Sequence, residues 1–235
     1  LETATWRANP DWGEKLGYSA GALASANARS IALMQELRTE FQGERTPIVV
    51  SGCVGPRGDG YDPGSVMSAD EAQDYHARQI GAFAETQADM VTAITMTNAN
   101  EAIGIARAAA KAGMPVVISF TVETDGRLPT GPSLVDAICE VDVVTSKAPA
   151  YYMINCAHPT HFRDALPDGA PWLKRIRGLR ANASCRSHAE LDESTELDIG
   201  EPIELARDYA RLQDRFPQLT VFGGCCGTDI RHVRL

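Results

Sequence analysis

The chain has 235 residues, 44% of them hydrophobic and only 6% aromatic, with a formal net charge of −9. That length accommodates one large domain with a core built mainly from Ala, Val, Ile and Leu. The acidic balance argues against a nucleic-acid partner, which needs a basic patch, and no apolar run reaches the roughly 18 residues of a membrane span.

In chain order the sequence alternates between two kinds of segment. Residues 47–56, "TPIVVSGCVGP", predict a short buried strand ending in glycines, and 68–88 a helix with a Ser/Asp start. A strand over 89–95, a helix over 98–113 and an unbroken apolar strand over 114–123 follow. After the turn-rich "TDGRLPTGP" come a helix at 132–141, a strand at 150–156 and a weaker strand at 176–184. The acidic stretch 189–202 reads as a solvated loop, 201–215 as a helix and 219–224 as the last strand. Strands apolar on both faces and each followed by a helix indicate a parallel sheet covered on both sides. Six such units fit either a doubly wound sheet or a (β/α)₈ barrel. No Gly-x-Gly-x-x-Gly turn joins a strand to a helix, which weakens the dinucleotide-binding version.

In parallel α/β folds the chemistry gathers where strands end. That edge should carry Cys53, Thr95, Glu123, Asn155, Cys156, Asn182 and the adjacent Cys225 and Cys226. Neighbouring residues on a regular strand face opposite ways, so two adjacent cysteines cannot reach one metal unless the strand breaks. Gly223, Gly224 and Gly227 permit that break. With Cys156 from another strand they make three thiolates, a donor set that suits zinc and leaves a fourth position open. The bland alternatives are a vicinal disulfide or buried thiols for the pair, and simple packing for Cys53, Cys139 and Cys185. His158 and His161 lie close to Cys156 but are read as non-ligands. The spacing of the six cysteines shows no secreted disulfide framework, which suggests reduced thiols in a cytoplasmic setting. Nothing at the start reads as a signal peptide, although the chain opens on Leu1 rather than Met.

"MINC" (153–156) and "FGGCCGT" (222–228), with "SGCVGPRGDGY" (51–61), "SFTVETDGRLPTG" (119–131) and "RANAS" (180–184), resemble the homocysteine S-methyltransferase family over nearly the whole chain. The resemblance implies a (β/α)₈ TIM barrel and a Zn²⁺ ion on Cys156, Cys225 and Cys226. It also implies transfer of a methyl group from an activated donor to the thiol of homocysteine or a close thiol. Glu123 would receive the substrate amino group, with Thr95, Asn155 and Asn182 as supporting or binding residues. The donor could be betaine-like, S-methylmethionine-like or folate-linked. A zinc-bound thiol loses its proton, whereas a free thiol with a pKa of about 8.5 mostly keeps it at neutral pH.

Two features depart from the family pattern. No Asp-Gly-Gly-type strand is present, and "LETATWRANPDWGEKLGYS" reads as the end of strand two and its loop. The expectation is one barrel domain over 1–235, incomplete at both ends, its N-terminal strand missing. An open gap would lie beside the cysteine pair, leaving the sulfurs open to misplacement. The second departure is Ile94-Thr95 where many relatives carry Glu-Thr, which removes one polar contact. Two other classes of function stay in play: a non-catalytic zinc or thiol-binding relative, and a redox protein using the vicinal pair.

Overall fold

The computed structural model describes residues 1–234. Two helices precede the sheet, α1 (Pro10–Lys15) and α2 (Ala20–Phe41), and then β1 (Ser51–Val54) begins a strand–helix alternation. It continues through α3 (Ala69–Ala84), β2 (Met90–Met96), α4 (Ala99–Lys111), β3 (Val116–Phe120), α5 (Leu134–Val144) and β4 (Tyr151–Asn155). The short α6 (Pro159–Phe162) and two 3₁₀ turns lead to β5 (Ile176–Ala181). The chain ends with α7 (His188–Asp192), α8 (Pro202–Arg215), β6 (Val221–Gly224) and α9 (Ile230–Val233).

The six strands are parallel and adjacent in chain order, β1 to β6. Each predicted strand falls on one of them. The helices over 68–88, 98–113, 132–141 and 201–215 correspond to α3, α4, α5 and α8. Their starts are written locally: Ser68 caps α3 in a reciprocal box with Glu71, Asn98 caps α4, and Ser133 caps α5. The strand faces turned toward the helices carry the core, including Val54, Val91, Ile118, Phe120 and Leu179, all fully or nearly fully buried.

Leu1–Thr3 lies parallel to β1 on its outer side, with Glu2 bridging Ser51, Thr3 N donating to Ser51 O and Ser51 N to Leu1 O. This agrees with the reading of the first residues as a strand end. Among the described residues β6 pairs only with β5, and nothing joins it to Leu1–Thr3. The sheet nevertheless curls. Glu2, beside β1, forms an ion pair with Arg180 on β5, and Asn155 on β4 reaches Thr95 on β2. The architecture is therefore an open half-barrel of six strands, and an eight-stranded closure is not present among the described residues.

Three sequence expectations need correction. The 22-residue helix α2 went unread, because only Asn27 and Ile31 of it are buried and its apolar periodicity is weak. The acidic stretch is not loop throughout, since α7 occupies its start. Cys139 and Cys185 are exposed and pack in no core; Cys53 alone of the three is buried.

Candidate metal centre

Cys156 follows the last residue of β4 and adopts a left-handed backbone, φ 54°, which costs a non-glycine residue about 1–3 kcal/mol. The surroundings hold it there. Its carbonyl accepts from His188 Nε2 at 2.7 Å, Asn182 Nδ2 at 3.0 Å and the Thr121 hydroxyl at 3.5 Å. Its N–H donates to Arg180 O at 3.1 Å. The turn swings Sγ out of the strand alternation and toward the end of β6.

The cysteine pair leaves β6 through glycines. A Cβ at Gly224 would collide with the Thr228 side chain, and Gly227 takes φ 78° where a Cβ would strike Asp198 O. Thr228 closes the turn, its N and Oγ1 both donating to Cys225 O. Asn182 ties the two carriers together, because its Oδ1 accepts from Cys226 N at 3.2 Å while its amide holds the Cys156 carbonyl.

As a result Cys156, Cys225 and Cys226 place their sulfurs within 4.8 Å of one another. Cys156 Sγ lies 2.8 Å from Cys225 Sγ and 3.7 Å from Cys226 Sγ. Ligands at 2.3 Å in a tetrahedron sit about 3.8 Å apart, and a disulfide is close to 2.05 Å. The trio is therefore spaced for a shared cation, with one pair compressed. The gap beside β6 has not scattered the sulfurs.

Electrostatics fit the same occupant. Hydrogen bonds from Cys156 and Cys225 hold the Cys226 thiol down to about 2, so this sulfur takes the negative charge. Cys225 receives from Cys156, but its own donation to Cys226 and its burial prevail and raise it to about 11. Cys156, donating to both partners and buried, is pushed well above the usual thiol range. One thiolate with two S–H neighbours is a site whose two remaining protons a soft divalent cation would replace.

The sulfurs open on a cavity of about 600 Å³ whose wall includes Trp6, Tyr61, Ile94, Thr95, Cys53 and Arg180. Thr95 is part of this wall. It too is left-handed, φ 67°, and Asn155 clamps it, accepting from its N and donating to its Oγ1. Ile94 contributes its carbonyl to Trp6 Nε1. Asn155 and Asn182 are 0% and 1% exposed, so they reach the cavity only through the residues they hold. Glu123 stands apart from the sulfurs, its Oε1 3.1 Å from His188 Nδ1. His158 caps α6, and His161 Nε2 pairs with Cys185 O.

Two residues of the centre went unread in the sequence. The Tyr61 hydroxyl lies 3.4 Å from Cys156 Sγ and 3.5 Å from Cys226 Sγ. Burial, with the neighbouring sulfurs adding to it, raises this phenol far above its ordinary range, so it serves as a donor. The Tyr61 ring stacks on His188 with centroids 4.0 Å apart. Tyr61 closes the quoted "SGCVGPRGDGY", but nothing in that segment says where the ring points. His188 carries no motif at all.

A curled parallel α/β sheet with a tri-cysteine centre at its carboxyl edge defines a class of thiolate-site proteins. Within it, the family model for homocysteine S-methyltransferase matches residues 1–235, and the chain belongs to that family of methyltransferase enzymes. Solved structures of the homocysteine methyltransferase MmuM from Escherichia coli share the fold. The metallated form superposes with a TM-score of 0.77 at 18% identity, covering 100% of this chain and 78% of that one. The oxidized form gives 0.78 at 20% identity, covering 99% and 77%. The apo form gives 0.69 at 18% identity, covering 93% and 76%. No curated protein matches the chain in sequence.

Proposed function

We propose that the chain holds zinc on Cys156, Cys225 and Cys226 and transfers a methyl group from an activated donor to the thiol of homocysteine or a close relative. The convergence of the three sulfurs in the wall of the 600 Å³ cavity carries this reading. When bound, zinc would supply the Lewis acidity that keeps a substrate thiol deprotonated at neutral pH.

The protein's own residues supply placement and exclusion of water. Tyr61 covers the sulfur cluster and donates toward it, and its ring packed on His188 shields that side from solvent. Thr95, held by Asn155, lines the cavity and is assigned to the bound thiol compound. Asn182 and Asn155 act through the backbones they clamp. Glu123, a third exposed and joined through His188 to the Cys156 carbonyl, is assigned to the substrate ammonium. Methyl transfer in line needs the acceptor sulfur and the donor methyl in one cavity, and this one is large enough for two small molecules.

The partners are accordingly a small-molecule thiol and a small-molecule methyl donor. The net charge of −9 leaves nucleic acid disfavoured, and no helix among the described residues is long and apolar enough to cross a membrane. We assign residues 1–235 to one homocysteine-binding domain.

Elemental analysis of reduced protein tests the zinc, with one ion per chain expected and X-ray absorption giving sulfur at about 2.3 Å. Methyl transfer to homocysteine is then assayed with a betaine-like, a sulfonium and a folate-linked donor. Zinc without transfer from any of them would leave a non-catalytic thiol-binding protein. A redox reading draws on the 2.8 Å approach of Cys156 to Cys225, which favours that pair over the vicinal one. Stoichiometric zinc in the reduced protein that persists in air would remove it.

A further inference from the structure

Below the sulfurs the cavity wall carries an ion pair that the proposed reaction has not used. Arg180 projects from β5 into the half-barrel. One guanidinium nitrogen, Nη1, meets the Glu2 carboxylate, and Nε donates to the carbonyl of Gly224 at 3.1 Å. Gly224 immediately precedes Cys225, and the two share a peptide unit. The N–H of that unit, on Cys225, donates to Ala181 O at 2.9 Å on β5. Its carbonyl therefore points the opposite way, toward the edge of β6 that has no strand partner among the described residues.

The sequence makes room for this contact. A Cβ at position 223 would lie 3.1 Å from Arg180 Cγ, so Gly223 lets the arginine stem lie over the strand. The preceding carbonyl is held separately. The Tyr209 hydroxyl accepts from Ala181 N at 2.7 Å and donates to Gly223 O at 2.8 Å. Two side chains thus fix two successive carbonyls of β6, directly before the cysteine pair.

Charge adds a second reason. Three thiolates around a divalent cation leave a net negative site, and a bound substrate thiolate makes it more so. Arg180 lines the same wall as Cys225 and keeps its positive charge at any working pH. Glu2 partly offsets that charge.

We propose that Arg180 is a positioning residue of the metal centre: through the Gly224 carbonyl it sets the Cys225 sulfur, and its fixed charge offsets the negative charge of the thiolates. The inference rests on the zinc reading above. It separates Arg180 from Glu2, since the contact to Gly224 belongs to the arginine alone. If the pair were only a strut between β5 and the segment beside β1, losing either partner would have the same effect.

The test is the rate at which zinc-loaded protein releases its metal to an excess of a chelating dye, with zinc content and circular dichroism recorded for each variant. Arg180→Met should release zinc at least ~10-fold faster than the parent, the range typical of groups that orient metal ligands. Arg180→Lys keeps the charge but replaces the separate Nε and Nη1 donors with one ammonium, and should fall between. Glu2→Gln should stay within about twofold of the parent. Equal acceleration by Arg180→Met and Glu2→Gln, or parent-like release from Arg180→Met, would overturn the proposal. Should Arg180→Met fail to fold, Arg180→Lys against Glu2→Gln decides by the same criterion. A parent that binds no zinc would refute the zinc reading, and this inference with it, before any variant is compared.

Discussion

Cys156 and the Cys225–Cys226 pair deliver sulfurs to the same point from differently built backbones. Cys156 ends a strand flanked on both sides, by β3 and β5, and holds a left-handed conformation without being glycine. Three donors on its carbonyl keep it there. The pair follows β6, and its turn relies on glycines where a side chain would collide. Inside a sheet, neighbours over-determine the backbone, so strain can be maintained. The pair's backbone is set instead by glycine freedom together with tethers from Arg180, Tyr209 and Thr228.

The bluntest way to break the comparison is to remove a sulfur from either carrier. Cys156→Ala, Cys225→Ala and Cys226→Ala should each take zinc from one per chain to nearly none, measured by elemental analysis after gel filtration. Cys139→Ala, at an exposed site away from the cluster, should leave zinc content unchanged. Zinc retained after loss of Cys156 would show that the edge pair binds without the interior carrier.

A milder variant strikes both carriers at once. Asn182 hydrogen-bonds the Cys156 carbonyl and the Cys226 N–H, so Asn182→Ala should loosen zinc affinity by about 10–100-fold in a chelator competition. It should also lower stability by about 1–3 kcal/mol, since it leaves buried partners unpaired. By contrast Gly227→Ala acts on the edge carrier alone. Its left-handed φ and the blocked Cβ direction should cost more than ~1 kcal/mol in denaturant unfolding. Its effect on zinc should be smaller than that of Asn182→Ala. The reverse order would mean that the glycine turn, rather than the asparagine tie, sets the site.

The same contrast explains what the sequence could disclose. The glycine-framed pair is legible because its turn is written in local residue types, and strands such as β1 and β3 are legible because they are buried on both faces. Cys156 was readable only once the pair had suggested a third ligand. Its left-handed turn depends on His188, Asn182 and Thr121, which lie 26 to 35 residues away in sequence. Tyr61 is placed by how its loop folds over the sulfurs, and the Glu2–Arg180 pair spans 178 positions. Helix α2 escaped notice for another reason. It is mostly solvent-facing, so its Ala-rich, Ser-capped sequence carries helix propensity without the apolar stripe that periodicity detects.

The smallest expected effect concerns Glu123, which touches the interior carrier only through His188. The carboxylate accepts no contact from the sulfurs, and its link to the centre runs from Oε1 to His188 Nδ1 and from Nε2 to the Cys156 carbonyl. Glu123→Gln keeps the shape and a hydrogen-bonding group beside His188 while removing the charge. If the charge receives the substrate ammonium, the KM for homocysteine should rise by roughly 10-fold, about 1.4 kcal/mol, with kcat and zinc content near those of the parent. A thiol of similar length without an amino group should show no such change, because it has nothing for the carboxylate to bind. If the charge matters instead by holding His188 against the Cys156 carbonyl, both thiols should suffer equally and zinc should leave faster. Parallel losses for the two thiols would therefore move Glu123 from the substrate to the supports of the interior cysteine.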